Sequence, residues 1–153
     1  MKKADRQARA LRLFVQLTRA AEQVAGEVQP LLTDAALTAG QLGVLKALSE
    51  DGPLSLRQLG DNLYRSGPNM TTVVDNLERD GLVRRTRSEV DRRVVLVSST
   101  KEGQRRFERA YPSYARSITA IVAGLSSDEQ ERLTRLCKKL RDGGVERALG
   151  PAA

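Results

Sequence analysis

Histidine and tryptophan are absent from this sequence, cysteine occurs once, and aromatic residues make up only 3% of it. Without histidine the chain lacks the commonest general base and the commonest metal ligand, which removes most hydrolase and metalloenzyme readings. A single cysteine, Cys137, excludes an intrachain disulfide framework and any zinc site built from several thiolates. Neither a phosphate-binding glycine loop nor a nucleophile–base set occurs, so no enzyme activity, catalytic residue, metal or cofactor is expected. No apolar run is long enough to cross a bilayer. The N-terminal stretch MKKADRQARALRLF is basic but has no uninterrupted apolar segment and no small-residue cleavage site. A soluble, cytoplasmic protein with no membrane partner is therefore expected.

What is abundant is positive charge. Lys and Arg number 26 against 19 acids, a formal net charge of +7 with no acidic tail to offset it. Such a balance favours an anionic partner, nucleic acid before a membrane surface. The 153 residues suffice for one domain with a real core.

The stretch Ser66 to Gly81, SGPNMTTVVDNLERDG, predicts a short helix with two faces. Met70, Val73, Val74 and Leu77 fall at helical spacing and form an apolar stripe. Ser66 suits the N-cap, Pro68 the first turn, and Gly81 the left-handed position just past the end. The opposite face carries Pro68, Asn69, Thr72, Asp75, Asn76 and Arg79. Short hydrogen-bonding side chains of this kind read base edges in a major groove. Taken alone, the stretch is equally an ordinary amphipathic surface helix.

Its neighbours alter that balance. Residues 4 to about 32 predict a long helix with a narrow seam of Leu11, Phe14, Leu17, Ala21, Val24 and Val28, blocked from regular continuation at Pro30. Thr38 and Gln41 have the spacing of a capping box and open a second helix with Leu42, Leu45 and Leu48, which stops at Asp51-Gly52-Pro53. Ser55 and Gln58 form another box ahead of Leu56, Leu59 and Leu63. Two short helices in succession, the second with a polar outer face, make a helix-turn-helix. LVRRTRSEVDRRVVLVSS follows. Residues 82–87 and 93–98 predict two strands around a loop at 88–92, a hairpin crowded with arginine. Such a hairpin is a wing that reaches phosphates and an adjacent minor groove. A third box at Ser99 and Glu102 is expected to open a helix with a second seam, Phe107, Tyr111, Tyr114, Ile118, Ile121 and Leu125, kinked at Pro112. A box at Ser126 and Glu129 opens the last helix, with Leu133, Leu136, Cys137 and Leu140 in register, which Gly143 and Gly144 are expected to end. Cys137 reads as a small buried apolar residue.

In LSLRQLGDNL, MTTVVDNLERDGLVRR and DRRVVLVSSTKEG, in that order and spacing, the sequence resembles the MarR family of winged-helix transcription regulators along nearly its whole length. The resemblance implies a mainly α fold with a small β-hairpin wing and a single domain over 1–153. Dimerisation helices would occupy 4–37 and 101–149, and the winged helix-turn-helix 38–100. It implies an obligate homodimer on an inverted-repeat operator in double-stranded DNA. It implies, as in many members, release of DNA when a small, often aromatic or phenolic, effector binds. In the family's D-x-R wing motif, matched by Asp91 and Arg93, the arginine enters the minor groove and the aspartate fixes the loop. Two departures stand out. The first helix has no cysteine, unlike members that sense peroxides, and the chain has no tryptophan, unlike members that sense urate-like compounds.

The expected DNA-binding set is Ser66, Pro68, Asn69, Thr71, Thr72, Asn76, Arg87, Asp91, Arg92 and Arg93. Arg93 is assigned to the minor groove, where narrow grooves concentrate negative potential, and Arg87 and Arg92 to phosphates. Asp75 faces outward but would repel phosphate; pairing with Arg84 or Arg85 and a structural role are expected for it. An effector pocket would draw on Phe14, Leu17, Leu42, Leu45 and Arg116. Two functions compete: a sequence-specific repressor released by a ligand, and a non-sensing architectural or protein-binding winged helix that uses its basic surface non-specifically.

Overall fold

The computed structural model describes residues 2–63 and 67–149. Six helices and three short strands follow in the order α1 (Lys2–Asp34), α2 (Ala39–Asp51), β1 (Leu54–Ser55), α3 (Leu56–Leu63), α4 (Gly67–Arg79), β2 (Val83–Arg87), β3 (Val95–Ser99), α5 (Lys101–Val122) and α6 (Ser127–Leu149). The chain divides into two compact units, residues up to 116 and residues from 117 on. Among the described residues, no helix is long and apolar enough to cross a membrane.

The first unit is held by aliphatic side chains, with Phe107 from α5. Val28, Leu32 and Leu37 are buried, as are Leu42, Val44, Leu45 and Leu48 of α2 and Leu54, Leu59, Met70, Val74, Leu77, Leu82, Val83, Val97 and Phe107. Met70, Val74 and Leu77 of α4 are completely buried, each contributing about 1.5–3 kcal/mol. Phe107 stacks on Tyr111, with ring centroids 4.8 Å apart.

Local chemistry sets most boundaries. Thr38 and Gln41 form the expected reciprocal capping box, and α2 closes at Gly52, whose φ is 74°. Ser55 and Gln58 exchange the same pair of bonds, 2.9 and 3.2 Å, at the start of α3. α4 ends in a Schellman motif: Leu82 N–H donates to the Leu77 carbonyl at 2.8 Å and Gly81 N–H to the Glu78 carbonyl at 3.0 Å. Gly81 takes the left-handed position with φ 72°. α1 ends in the same motif, with Leu37 N–H to the Leu32 carbonyl and Ala36 N–H to the Thr33 carbonyl, both 2.9 Å. There the left-handed position is filled by Ala36, at φ 51°.

Several expectations give way. α1 runs through Pro30 to Asp34. One backbone hydrogen bond is lost at the proline, but continuing the helix buries Leu32 and brings Leu37 into the core. Likewise α5 is continuous through Pro112. α6 passes through Gly143 and Gly144 to Leu149. The box at Ser99 and Glu102 does not form. Ser99 is the last residue of β3, paired with Val83, so the cap falls one residue later, on Thr100. The Thr100 hydroxyl accepts from Gly103 N–H at 3.1 Å and donates to the Gly81 carbonyl at 2.7 Å. Gly103 itself presses on the start of β2: a Cβ there would stand 1.9 Å from the Leu82 carbonyl oxygen.

The sheet has the order β1-β3-β2, all antiparallel. β1, two residues ahead of α3, has no signal in the sequence; Leu54 pairs with Val97 and Ser55 with Leu96. It fastens the start of the helix pair to the root of the hairpin.

In the second unit Ser126 and Glu129 form their box, with bonds of 2.8 and 3.3 Å. Gln130 reinforces the turn by donating to the Val122 and Leu125 carbonyls. The α6 stripe lies open: Leu133, Leu136 and Leu140 are each about half exposed, and Cys137, expected to be buried, is exposed too. The N-terminal half of α1 is equally bare, with Phe14 at 65% and Leu11 at 57% exposure.

Candidate nucleic-acid interface

α3 braces α4. Leu59 is fully buried, and Asn62 on α3 donates to Asp51 of α2 at 3.4 Å. With its apolar stripe turned into the core, α4 is left presenting Asn69, Thr71, Thr72, Asp75 and Arg79, all exposed. Asn76 is half-buried, and its side-chain oxygen accepts from Arg79 Nη1 at 3.1 Å. Arg79 also pairs with Asp80 at 3.3 Å. Asn76 therefore belongs to the edge of the face, tied to Arg79, while Asn69, Thr71 and Thr72 lie on it. Ser66 falls outside the described residues, as do Tyr64, Arg65 and the side chain of Pro68.

The wing is a hairpin whose loop spans residues 88–94, wider than the sequence suggested. The widening has a cause in Asp91. Arg93 N–H donates to Asp91 Oδ1 at 3.0 Å and Val94 N–H to the Asp91 carbonyl at 2.9 Å, so both N–H groups turn into the loop rather than across the hairpin. Ser88 closes the loop: its hydroxyl accepts from Val90 N–H and Asp91 N–H, and its own N–H donates to the Val94 carbonyl. Ser88 was not singled out from the sequence, although a serine just before a turn is a recognisable signal. Arg87 and Arg92 are exposed, and the Arg93 side chain is 90% exposed while its guanidinium rests on Asp91. Hydrogen bonds from the Arg93 side chain and backbone hold the Asp91 carboxyl below the usual carboxylate range.

A second ion pair joins wing to helix. Arg85, in the middle of β2, bonds Asp75 at 2.6 Å and also Glu78, one helical turn further along α4. Its backbone N–H donates to the same Glu78 carboxylate at 3.0 Å. Of the two arginines expected for Asp75, the pleat selects Arg85; Arg84 points to the other face of the strand and is exposed. Partial burial works against the charge on Arg85, but hydrogen bonds to Asp75 and Glu78 outweigh it and raise its pKa. Glu78 went unnoticed in the sequence, although its spacing from Asp75 places both on one face.

The residues considered for an effector separate. Leu42 and Leu45 are buried, at 3% and 1% exposure, whereas Phe14, Leu17 and Arg116 are exposed, Arg116 donating to Ser113 at 3.1 Å. A shallow recess of about 250 Å³ on the same unit has a different lining, Leu31, Asp34, Ala35, Arg109, Ala110 and Ser113.

A braced helix with a polar outer face, followed directly by an arginine-bearing antiparallel hairpin, defines a winged helix-turn-helix. Residues 37–95 match the family model described as MarR family. The chain is 37% identical over 99 residues to the HTH-type transcriptional regulator YkoM of Bacillus subtilis, a stretch covering 65% of this chain and 64%, just under two thirds, of that protein. It is 30% identical over 132 residues to the HTH-type transcriptional regulator MhqR of the same organism, covering 86% and 91%. Among solved structures it is similar to BpsR of Bordetella bronchiseptica, whose DNA binding is regulated by 6-hydroxynicotinic acid, with a TM-score of 0.74, 28% identity and coverage of 83% and 91%. The chain belongs to the MarR family of transcription regulators.

Proposed function

We propose that the protein is a homodimeric, sequence-specific DNA-binding repressor that leaves an inverted-repeat operator when a small aromatic or phenolic-type molecule binds. The observation that carries the reading is the polar face of α4 beside a wing whose Arg84, Arg87, Arg92 and Arg93 are exposed. Asn69, Thr71 and Thr72, with Ser66 and Pro68 at the helix start and Asn76 at its edge, meet the major groove. Arg93, oriented by Asp91, enters the minor groove, and Arg87 and Arg92 meet phosphates. Residues 38–100 thus form the DNA-binding region, and 4–37 with 101–149 the dimerisation helices.

The dimer rests on the open stripes of α1 and α6. Contiguous apolar surface of this kind marks an interface rather than a solvent face. For the effector, Phe14, Leu17 and Arg116 offer exposed apolar and cationic surface; Leu42 and Leu45 take part only through a shift of α2. The regulation of BpsR by 6-hydroxynicotinic acid supports a ligand of this chemical kind. A cytoplasmic location follows from the function.

The test is selection of bound sequences from random duplexes, followed by affinity for the selected and a scrambled duplex at fixed salt. A specific repressor yields an inverted repeat with half-site centres roughly 10 bp apart and a large affinity ratio. Equal affinity for both duplexes overturns the reading in favour of an architectural protein.

A further inference from the structure

The proposed DNA-facing surface contains a group that an anionic ligand should not tolerate. Asp75 stands on the exposed face of α4, three and four residues from Thr72 and Thr71 and four from Arg79, so it shares their side of the helix. Its side chain is 58% exposed. Glu78 lies one turn away, and the single guanidinium of Arg85 serves both carboxylates. The group therefore keeps an excess of one negative charge.

Docking the wing engages only Oδ1 of Asp75. Glu78 already holds Arg85 by its backbone N–H and by its guanidinium. A second carboxylate strengthens the clasp through Arg85 Nη2 but adds like-charge repulsion beside Glu78 and near phosphates. Beside phosphates, its other oxygen is favourably placed where it accepts from a donor on the DNA. In the major groove such donors are the exocyclic amines of cytosine and adenine. Adenine and guanine also present acceptors at N7, which repel a carboxylate, whereas the cytosine edge offers its N4 amine without one.

We infer that Asp75 is a specificity-determining residue that accepts a hydrogen bond from cytosine N4 in each half-site, with Arg85 holding its carboxylate in place. The inference rests on the DNA-binding reading above and deepens it. Arg85 bonds Oδ1 at 2.6 Å, which fixes the rotamer and offsets part of the charge as water is excluded. It acts as a positioning residue and need not touch DNA. In this arrangement the acid discriminates at one base pair: cytosine satisfies its second oxygen, guanine and thymine offer it no donor, and adenine sets the N7 acceptor beside its amine.

The experiment repeats the duplex selection with the unaltered protein, Asp75→Asn, Asp75→Ala and Glu78→Gln, then measures affinity for operators changed one base pair at a time. The unaltered protein should require a C·G pair at one position per half-site, with about a tenfold loss on replacing it. Asp75→Ala should be indifferent at that position and keep every other preference. Asp75→Asn, isosteric and able to pair with adenine N6 and N7, should shift the preference there to A·T. Glu78→Gln, which weakens the same clasp from its other side, should retain the cytosine preference. Because Asp75 is exposed and the buried stripe is untouched, melting temperatures should agree closely across the set. An Asp75→Ala protein that keeps all base preferences and loses affinity uniformly overturns the assignment. So does a Glu78→Gln protein whose preference changes in the same way, since the effect would then be one of positioning. If the unaltered protein selects no sequence at all, it is the DNA-binding reading that fails, and the inference with it.

Discussion

Arg93 is bound to Asp91 through three of its nitrogens: its backbone N–H and Nε share Oδ1 at 3.0 and 3.1 Å, and Nη2 meets Oδ2 at 3.1 Å. The acid two residues before the arginine thus shapes the loop and aims the guanidinium together. Charge alone predicts that removing Asp91 strengthens DNA binding. The geometry predicts the reverse. Asp91→Ala is expected to weaken operator binding about tenfold, because the loop opens and the arginine loses its fixed direction. Titration of labelled operator at constant salt checks this, and tighter binding by the variant would show that the clasp is not used on DNA.

The same pair sets the response to pH. A carboxyl with a depressed pKa favours the folded wing above its unfolded value, and that contribution disappears as pH falls through the folded one. Asp91 therefore stays ionised until the pH drops below the ordinary carboxylate range. With no histidine in the chain, operator affinity should be nearly flat between about pH 5.5 and 7.5. A steep change inside that window, measured at constant ionic strength, would require another titrating group.

Arg93→Ala and Thr72→Ala should fail differently. Loss of Arg93 removes a charge-assisted contact that any narrow groove accepts, so affinity should fall on operator and scrambled duplex alike, with a shallower salt slope. Loss of Thr72 should cost about 1–3 kcal/mol on the operator and much less on the scrambled duplex. Binding of both variants across a salt series separates the two. Equal weakening of both duplexes by Thr72→Ala would place that residue on the phosphate backbone instead.

Two backbone positions invite opposite substitutions. Ala36 occupies a left-handed position that glycine fills without steric cost, so Ala36→Gly should stabilise by about 0.5–1 kcal/mol despite the added freedom of the unfolded chain. Gly103→Ala should destabilise by about 3 kcal/mol, since the new methyl meets a backbone carbonyl that cannot move aside. Chemical denaturation of both variants measures the two shifts.

The open stripes of α1 and α6 should be interface. Phe14→Glu combined with Leu136→Glu is expected to give a monomer, or a protein that no longer folds to a defined size, by sedimentation. An unchanged dimer would place the interface elsewhere.

The features legible in the sequence are those settled between near neighbours in the chain. Thr38 with Gln41, Ser55 with Gln58 and Ser126 with Glu129 cap their helices because donor and acceptor are three residues apart. The α4 stripe and Gly81 are equally local, resting on helical period and on one dihedral angle. The tertiary structure decided what depends on residues far apart. Ser99 was drawn into the sheet by Val83, which passed the cap to Thr100. Burial of Leu32 and Leu37 carried α1 past Pro30. Arg85 rather than Arg84 met Asp75 because the pleat of β2 turns alternate side chains toward α4. Leu54 and Ser55 became a strand only because β3 lay beside them. A short strand or an ion pair takes its energy from a partner, and local sequence does not say which partner the folded chain will bring.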